Sequence, residues 1–351
     1  MDAPRTTIAI AGAGADAEQA ARALRGVAGV EVTRIAGGSE EGLLETLASD
    51  DIEAIAFVAP CADLAGAVRR TLMANRHALI LGPAALSAKQ LISLDELARR
   101  RSRVVYFDTG YADDERLAFI RKMTASIEAL WRPRYVRAVR VSPERRSVDD
   151  LAIAEIACVL SIMGAAPSHI SAVAPRIDDE SGHADAVMLA MTFDGGPVAT
   201  VDVSLIEPMP RQEMIVVCDG RTILMDGYDK RAPLQILAAG RHGGPQTGRA
   251  WSETVSEYPA STVLDRDAAV ASTFVTAVRS RDVSAINVRE VAVAASAWEA
   301  ARESIARGGE LRELSEDAGA GRPALQVIHG GGKTQPLAMP PDLTLVRRRN
   351  G

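Results

Sequence analysis

Thr7-Ile8-Ala9-Ile10-Ala11-Gly12-Ala13-Gly14-Ala15-Asp16-Ala17 decides the fold of this chain. A short apolar run rich in β-branched residues ends in Gly12, Ala13 and Gly14, and from Glu18 to Leu24 the pattern turns helical. A strand that enters a helix through small residues lets its backbone approach a pyrophosphate. The helix N-terminus then offers free N–H groups and a partial positive charge. The third small residue is Ala17 rather than glycine, and a second strand, Val30 to Ile35, follows at the spacing a βαβ unit requires.

At the end of that second strand a dinucleotide site ordinarily carries an acidic residue for the adenosine ribose. Here the chain has Gly37, Gly38 and Ser39. Without a carboxylate to repel it, a 2′-phosphate is tolerated, and Ser39 is a donor for it. No Arg follows and Glu40 and Glu41 oppose it, so any NADP preference is weak.

The alternation continues outward. Ala54 to Val58 leads into a helix over Asp63 to Ala74, Ala78 to Leu81 into Lys89 to Arg101, and Val104 to Phe107 closes the series. Repeated strand and helix at this spacing predict a doubly wound parallel sheet with ligand at the carboxyl ends of its strands. From Tyr135 the strands alternate apolar and polar: Val136 to Val141, Ala186 to Phe193, Val198 to Leu205, Glu213 to Cys218 and Thr222 to Met225. Turn signals at Asp194-Gly195-Gly196 and Asp219-Gly220 suit a mostly antiparallel open sheet. Helices are expected over Asp267 to Arg279 and Val288 to Arg307.

The expected class is therefore α/β: an N-terminal Rossmann domain over residues 1–125 and an α+β domain over 126–315 with a large open sheet. Beyond Glu316 the sequence is Gly- and Pro-rich, with Gly330-Gly331-Gly332 and Pro340-Pro341, and residues 316–351 read as an extended or disordered tail. His329 to Thr334 is not a phosphate loop, because the required first glycine falls at Val327 and no helical pattern follows.

With 351 residues at 47% hydrophobic, the chain can bury the cores of two domains. A net charge of −6 with the signs well mixed excludes a nucleic-acid face, and Arg347-Arg348-Arg349 is a small terminal cluster. The three cysteines, Cys61, Cys158 and Cys218, fit neither a disulfide framework nor a metal-ligand spacing. Neither a leader pattern nor a membrane-spanning run is read, so a cytoplasmic protein without membrane or metal partners is expected.

This order of elements resembles the Gfo/Idh/MocA family of oxidoreductases over roughly residues 6 to 314. The likeness rests on the opening strand-turn-helix, Asp51 to Pro60, His77 to Ser87 and the late Phe274-Val275-Thr276-Ala277-Val278-Arg279 helix. It implies NAD(P) as cofactor, a sugar, cyclitol or related polyol as substrate, and a second sheet that forms an oligomer face. It also implies cofactor contacts from Gly12, Ala13, Gly14, Ala17, Gly37, Ser39, Ala59, Pro60 and Pro83.

The family's polar chemistry is missing. Its Glu-Lys-Pro element falls on Leu81-Gly82-Pro83, its general acid/base His on Ala154, and the Asp three residues later on Ala157. Its Thr-Pro stretch is Ala59-Pro60, the following His is Leu64, and its Asn-x-Arg element is Asp108-Thr109-Gly110. A hydride transfer needs a partner for the alcohol proton within hydrogen-bond reach, which alanine and glycine cannot be.

Glu155, Asp108 and His183 are the candidates for replacement chemistry, weighed against surface or cap carboxylates and a loop histidine. Tyr106, Phe107 and Tyr111 are candidate ring-stacking residues, weighed against a core role. The favoured expectation is a redox-inactive or atypical homologue serving as a ligand-binding, regulatory or accessory subunit. Its partner is a sugar-like ligand or an active paralogous subunit, in a homo- or hetero-oligomer built through the second sheet. The alternative is an NAD(P)-dependent oxidoreductase, or a nicotinamide-assisted lyase or hydrolase, with a relocated acid/base.

Overall fold

The short apolar runs of the first third fold as strands between amphipathic helices: β1 (Thr6–Ala11), α1 (Gly14–Arg25), β2 (Val30–Ile35), α2 (Glu40–Ala48), β3 (Ala54–Val58), α3 (Leu64–Met73), β4 (His77–Leu81), α4 (Ala88–Arg101) and β5 (Val105–Phe107). The computed structural model describes residues 5–35, 40–58, 61, 63–81, 86–111, 114–143, 147–175, 184–229, 231–240, 250–258, 265–283 and 287–314. The strands pair in the order β2-β1-β3-β4-β5, every pair parallel. Such a sheet is covered on both faces, which is why β3 is buried at all five positions.

The chain continues through α5 (Glu115–Thr124), β6 (Pro133–Val141), α6 (Val148–Met163), β7 (His169–Val173), β8 (Ala186–Thr192), β9 (Val198–Ser204), β10 (Arg211–Cys218), β11 (Arg221–Asp226), β12 (Leu234–Gly240) and β13 (Ala250–Tyr258). It closes with α7 (Arg266–Ser280), α8 (Val288–Ala306) and β14 (Arg312–Glu313). The second sheet has nine strands in the order β13-β12-β11-β10-β6-β9-β8-β7-β14, and only β6–β9 is parallel. Three of its longer strands, β7, β12 and β13, are additions to the five that the sequence pattern indicates.

Among the described residues, one compact unit lies within Met1–Asp113 and Asp265–Glu299, the other within Asp114–Leu264 and from Ala300 on. The first unit thus takes back a late helix. Helix α7 buries Val270, Ala271, Phe274, Val275 and Val278 in one cluster with Ile8, Ile10, Ala17, Ala21 and Leu24 of the β1–α1 unit. At its start Asp267 accepts a hydrogen bond from the Gln19 carboxamide, and at its end Arg279 donates to Thr6 Oγ1 (3.1 Å) and the Ala28 carbonyl (2.7 Å). Helix α7 therefore runs alongside α1 in the same direction, beginning at the carboxyl edge of the parallel sheet.

In the second unit α6 packs on β6, β8 and β9. Along β8, Val187, Leu189 and Met191 are buried on the helix side while Met188, on the other face, is 51% exposed. Arg116 is fully buried, paired with Asp114 at 3.0 Å and donating to the Asp226, Asp229 and Ala232 carbonyls at 2.8, 3.0 and 3.0 Å. It pins the turn between β11 and β12. No helix among the described residues is long and apolar enough to cross a membrane.

Candidate functional site

The carboxyl edge of the parallel sheet begins at the β1–α1 turn. A Cβ built on Gly12 would lie 2.8 Å from the Val58 Cβ and 3.2 Å from the Val58 carbonyl oxygen, so no side chain fits between the turn and the end of β3. Gly14 has φ +80, a conformation that other residues rarely adopt. Ala13 precedes α1 in extended conformation and makes no side-chain cap, which leaves the first-turn N–H groups for another acceptor. Ala17 is 2% exposed in the core cluster, so its methyl group packs where a third glycine is usual. Asp16, exposed in the first turn, places a carboxylate close to those N–H groups.

Gly37, Ser39, Ala59, Pro60, Gly82, Pro83 and His183 lie outside the described residues. The chain on either side of residues 82–85 is firmly held. β4 ends at Leu81, and α4 begins under a capping box in which the Ser87 hydroxyl accepts from Gln90 N. The Ala88 N–H donates to the Glu299 carboxylate at 2.9 Å.

At the far side of the same edge, β5 ends in a polar lock. The Asp108 N–H donates to the Ile80 carbonyl at 2.9 Å, one Asp108 oxygen accepts from Gly110 N at 2.8 Å, and the other is paired with the Arg266 guanidinium. The Asp108 carboxylate is 5% exposed and Arg266 is 37% exposed. Gly110, where the family resemblance expects an Arg, has φ +83, and a Cβ there would lie 3.7 Å from Arg266 Cζ and Nη2. Asn287 completes the lock by pairing with both backbone groups of Phe107, accepting from N at 2.8 Å and donating to O at 2.6 Å. Neither Arg266 nor Asn287 stands out in the sequence, since nothing local marks a helix-start Arg or a loop Asn as a partner of β5.

In the second unit, α6 carries Ala154 and Ala157, the positions that the family resemblance sets against a proton-transfer pair, and Glu155 is 2% exposed. The surface reading of Glu155 is thereby corrected: the helix is apolar nearly all round, and its carboxylate is buried with Leu151, Ala152, Ile156 and Val159. Asp108 is likewise no surface group, although its bond to Gly110 N is a turn cap. Tyr106, Phe107 and Tyr111 are 3%, 3% and 4% exposed, which makes them core rather than stacking platforms.

His77 starts β4, at the opposite edge of the sheet. Its Nδ1 accepts from Val104 N at 2.9 Å, and burial, reinforced by Arg103 and Arg281, pulls its pKa down to about 4. It is a neutral structural acceptor. Burial also raises the Cys218 thiol to about 12, so it is no nucleophile. Among the described residues no group of three His, Cys, Asp or Glu is placed to hold a metal ion.

No protein-family model matches the chain, and no curated relative matches it in sequence. Solved structures do match its fold. GenD2 from gentamicin A biosynthesis, determined in complex with NAD, superposes with TM-score 0.72 at 17% identity over 90% of this chain and 98% of GenD2. UDP-N-acetylglucosamine 3-dehydrogenase GnnA from Acidithiobacillus ferrooxidans gives 0.69 at 20% over 86% and 97%. An oxidoreductase from Pseudomonas syringae gives 0.71 at 16% over 89% and 99%.

Proposed function

We propose that this chain, whose fold is that of the Gfo/Idh/MocA oxidoreductases, is a ligand-binding homologue that holds a nicotinamide dinucleotide at the Gly12–Gly14 turn and does not transfer hydride. One observation carries the reading: a glycine turn of phosphate-binding type coexists with an α6 that has alanine at both positions which the resemblance sets against the family's proton-transfer pair.

The turn suits the group. Gly12 is held against Val58 with no room for a side chain, Gly14 takes a positive φ, and the α1 N-terminus is not capped by a side chain, which together form a backbone cradle for a pyrophosphate. When bound, the nicotinamide supplies a hydride donor or acceptor. Polyol oxidation also requires a base for the hydroxyl proton, and the methyl groups of Ala154 and Ala157 offer none.

A sugar- or cyclitol-like ligand is the class we assign to this chain, a reading supported by the likeness in fold to proteins of which one is named for a nucleotide sugar. As a regulatory or accessory subunit it would present the open face of its nine-stranded sheet, where Val173 and Met188 are 45% and 51% exposed, to a second copy or a paralogue. The test is calorimetric titration of cofactor-stripped protein with NAD⁺, NADH, NADP⁺ and NADPH. Micromolar binding of at least one supports the reading, and silence at millimolar concentration rejects it.

The burial of Glu155 favours one other reading, an NAD(P)-dependent oxidoreductase in which this carboxylate has taken over proton transfer. Dehydrogenase activity that disappears in Glu155→Gln would select it.

A further inference from the structure

We propose that Arg266 is an oxyanion receptor, taking the carboxylate or phosphate group of an acidic sugar-like ligand at the carboxyl edge of the parallel sheet. The inference rests on the ligand-binding reading above and adds the chemical class of the ligand.

Placement is the first support. Helix α7 starts at the carboxyl edge, because Asp267 meets Gln19 of α1 while Arg279, at the helix end, reaches the beginning of β1. Arg266 thus stands on the edge where doubly wound sheets bind ligands. Between β1, which ends in the glycine turn, and β5, which ends in Asp108, lie β3 and β4. Three strand spacings amount to roughly 14 Å. A pyrophosphate at Gly12 and an anion at Arg266 are therefore separate groups, and the second belongs to the ligand rather than to the turn.

The guanidinium is the second support. Asp108 engages Nη2, while Nε is shielded from water with no hydrogen-bond partner among the described residues. The side chain is nevertheless 37% exposed beyond its contact with Asp108, and a guanidinium is the group best shaped for a planar carboxylate or a phosphate. Asp108 fixes its orientation, since both Asp108 oxygens are already in use and Ile80 anchors the backbone. Gly110 leaves the adjoining space free of a side chain, and the guanidinium rests in contact with that position.

A plain structural ion pair and an anion receptor differ in what the two partners' substitutions do. Wild type, Arg266→Gln, Arg266→Lys and Asp108→Asn are titrated with glucose phosphate, gluconate and glucose, and with NADH in the same samples. A receptor gives wild type at least tenfold preference for one of the two anions over glucose, and the preferred anion tells phosphate from carboxylate. Arg266→Gln abolishes that preference, Arg266→Lys reduces it, and Asp108→Asn, which keeps an oxygen to orient the guanidinium while removing the competing charge, keeps or strengthens it. No preference in wild type, or a preference unchanged in Arg266→Gln, overturns the assignment. NADH bound without an anion preference leaves the dinucleotide reading standing and removes the receptor. An Arg266-dependent preference without NADH binding does the reverse.

Discussion

Gly12 and Val58 meet so closely that a single added methyl group cannot be placed: the Cβ position of Gly12 is 2.8 Å from the Cβ of Val58. The end of β3 therefore forms the floor under the β1–α1 turn. Gly12→Ala forces the turn away from β3, and overpacking of this kind costs about 1–3 kcal/mol. We expect a lower Tm by thermal melting and, by calorimetry, at least a tenfold loss of dinucleotide affinity.

Asn287 gives β5 the pairing that an edge strand lacks. Its carboxamide satisfies N and O of Phe107, and all three groups are out of water. Asn287→Ala orphans two buried backbone groups at about 1–3 kcal/mol each. Urea unfolding should show a destabilisation in that range or up to twice it, and at least as large a loss in Asn287→Asp, which sets a buried carboxylate against the Phe107 carbonyl.

Arg116 is the most buried cation described, with a carboxylate and three carbonyls around it. Arg116→Leu removes the buried cation paired with Asp114, a change worth about 3–5 kcal/mol. Loss of soluble protein or a steep fall in the denaturation midpoint is expected. Arg116→Lys should recover only part of it, because an ammonium cannot reach all four acceptors in one plane.

His77 supplies an acid-side stability term of defined sign. Its folded pKa is depressed to about 4 from the model-peptide 6.5, so between these values the unfolded chain binds the proton and the folded one does not. Stability is lost as pH falls through that window, by at most about 1.4 kcal/mol per pH unit. His77→Asn retains an acceptor for Val104 N and does not titrate. The difference in unfolding free energy between wild type and this variant should therefore be flat above neutral pH and should shrink or reverse toward the acid end.

The parallel sheet was readable because strands covered on both faces appear as unbroken apolar runs, as in Ala54-Ile55-Ala56-Phe57-Val58. The second sheet was only partly so. Strand β12 mixes Gln235 into an apolar run, and β13 carries Ser252, Glu253, Thr254 and Ser256, a pattern that also suits a loop. The return of α7 to the first sheet was hidden for a different reason. Its apolar stripe, Val270, Ala271, Phe274 and Val278, says that one face is buried but not against what.

The site divides the same way. Gly12 and Gly14 belong to a local turn whose geometry follows from adjacent residues. Asp108 is joined to Arg266 across 158 positions and Phe107 to Asn287 across 180, and no local pattern encodes such pairs. Glu155 reads as a surface residue because glutamate usually is one; only the packing of α6 on β6, β8 and β9 buries it.

The most direct test of the central claim is a single-turnover experiment: protein loaded with NAD⁺ or NADP⁺ is mixed with a panel of sugars, sugar acids, cyclitols and nucleotide sugars, and the absorbance of reduced nicotinamide is followed. The account predicts that the dinucleotide stays bound and oxidised with every ligand, in wild type and in Glu155→Gln alike. Reduction of the bound cofactor by any of them, lost in Glu155→Gln, would contradict it and make this chain a dehydrogenase with a relocated base.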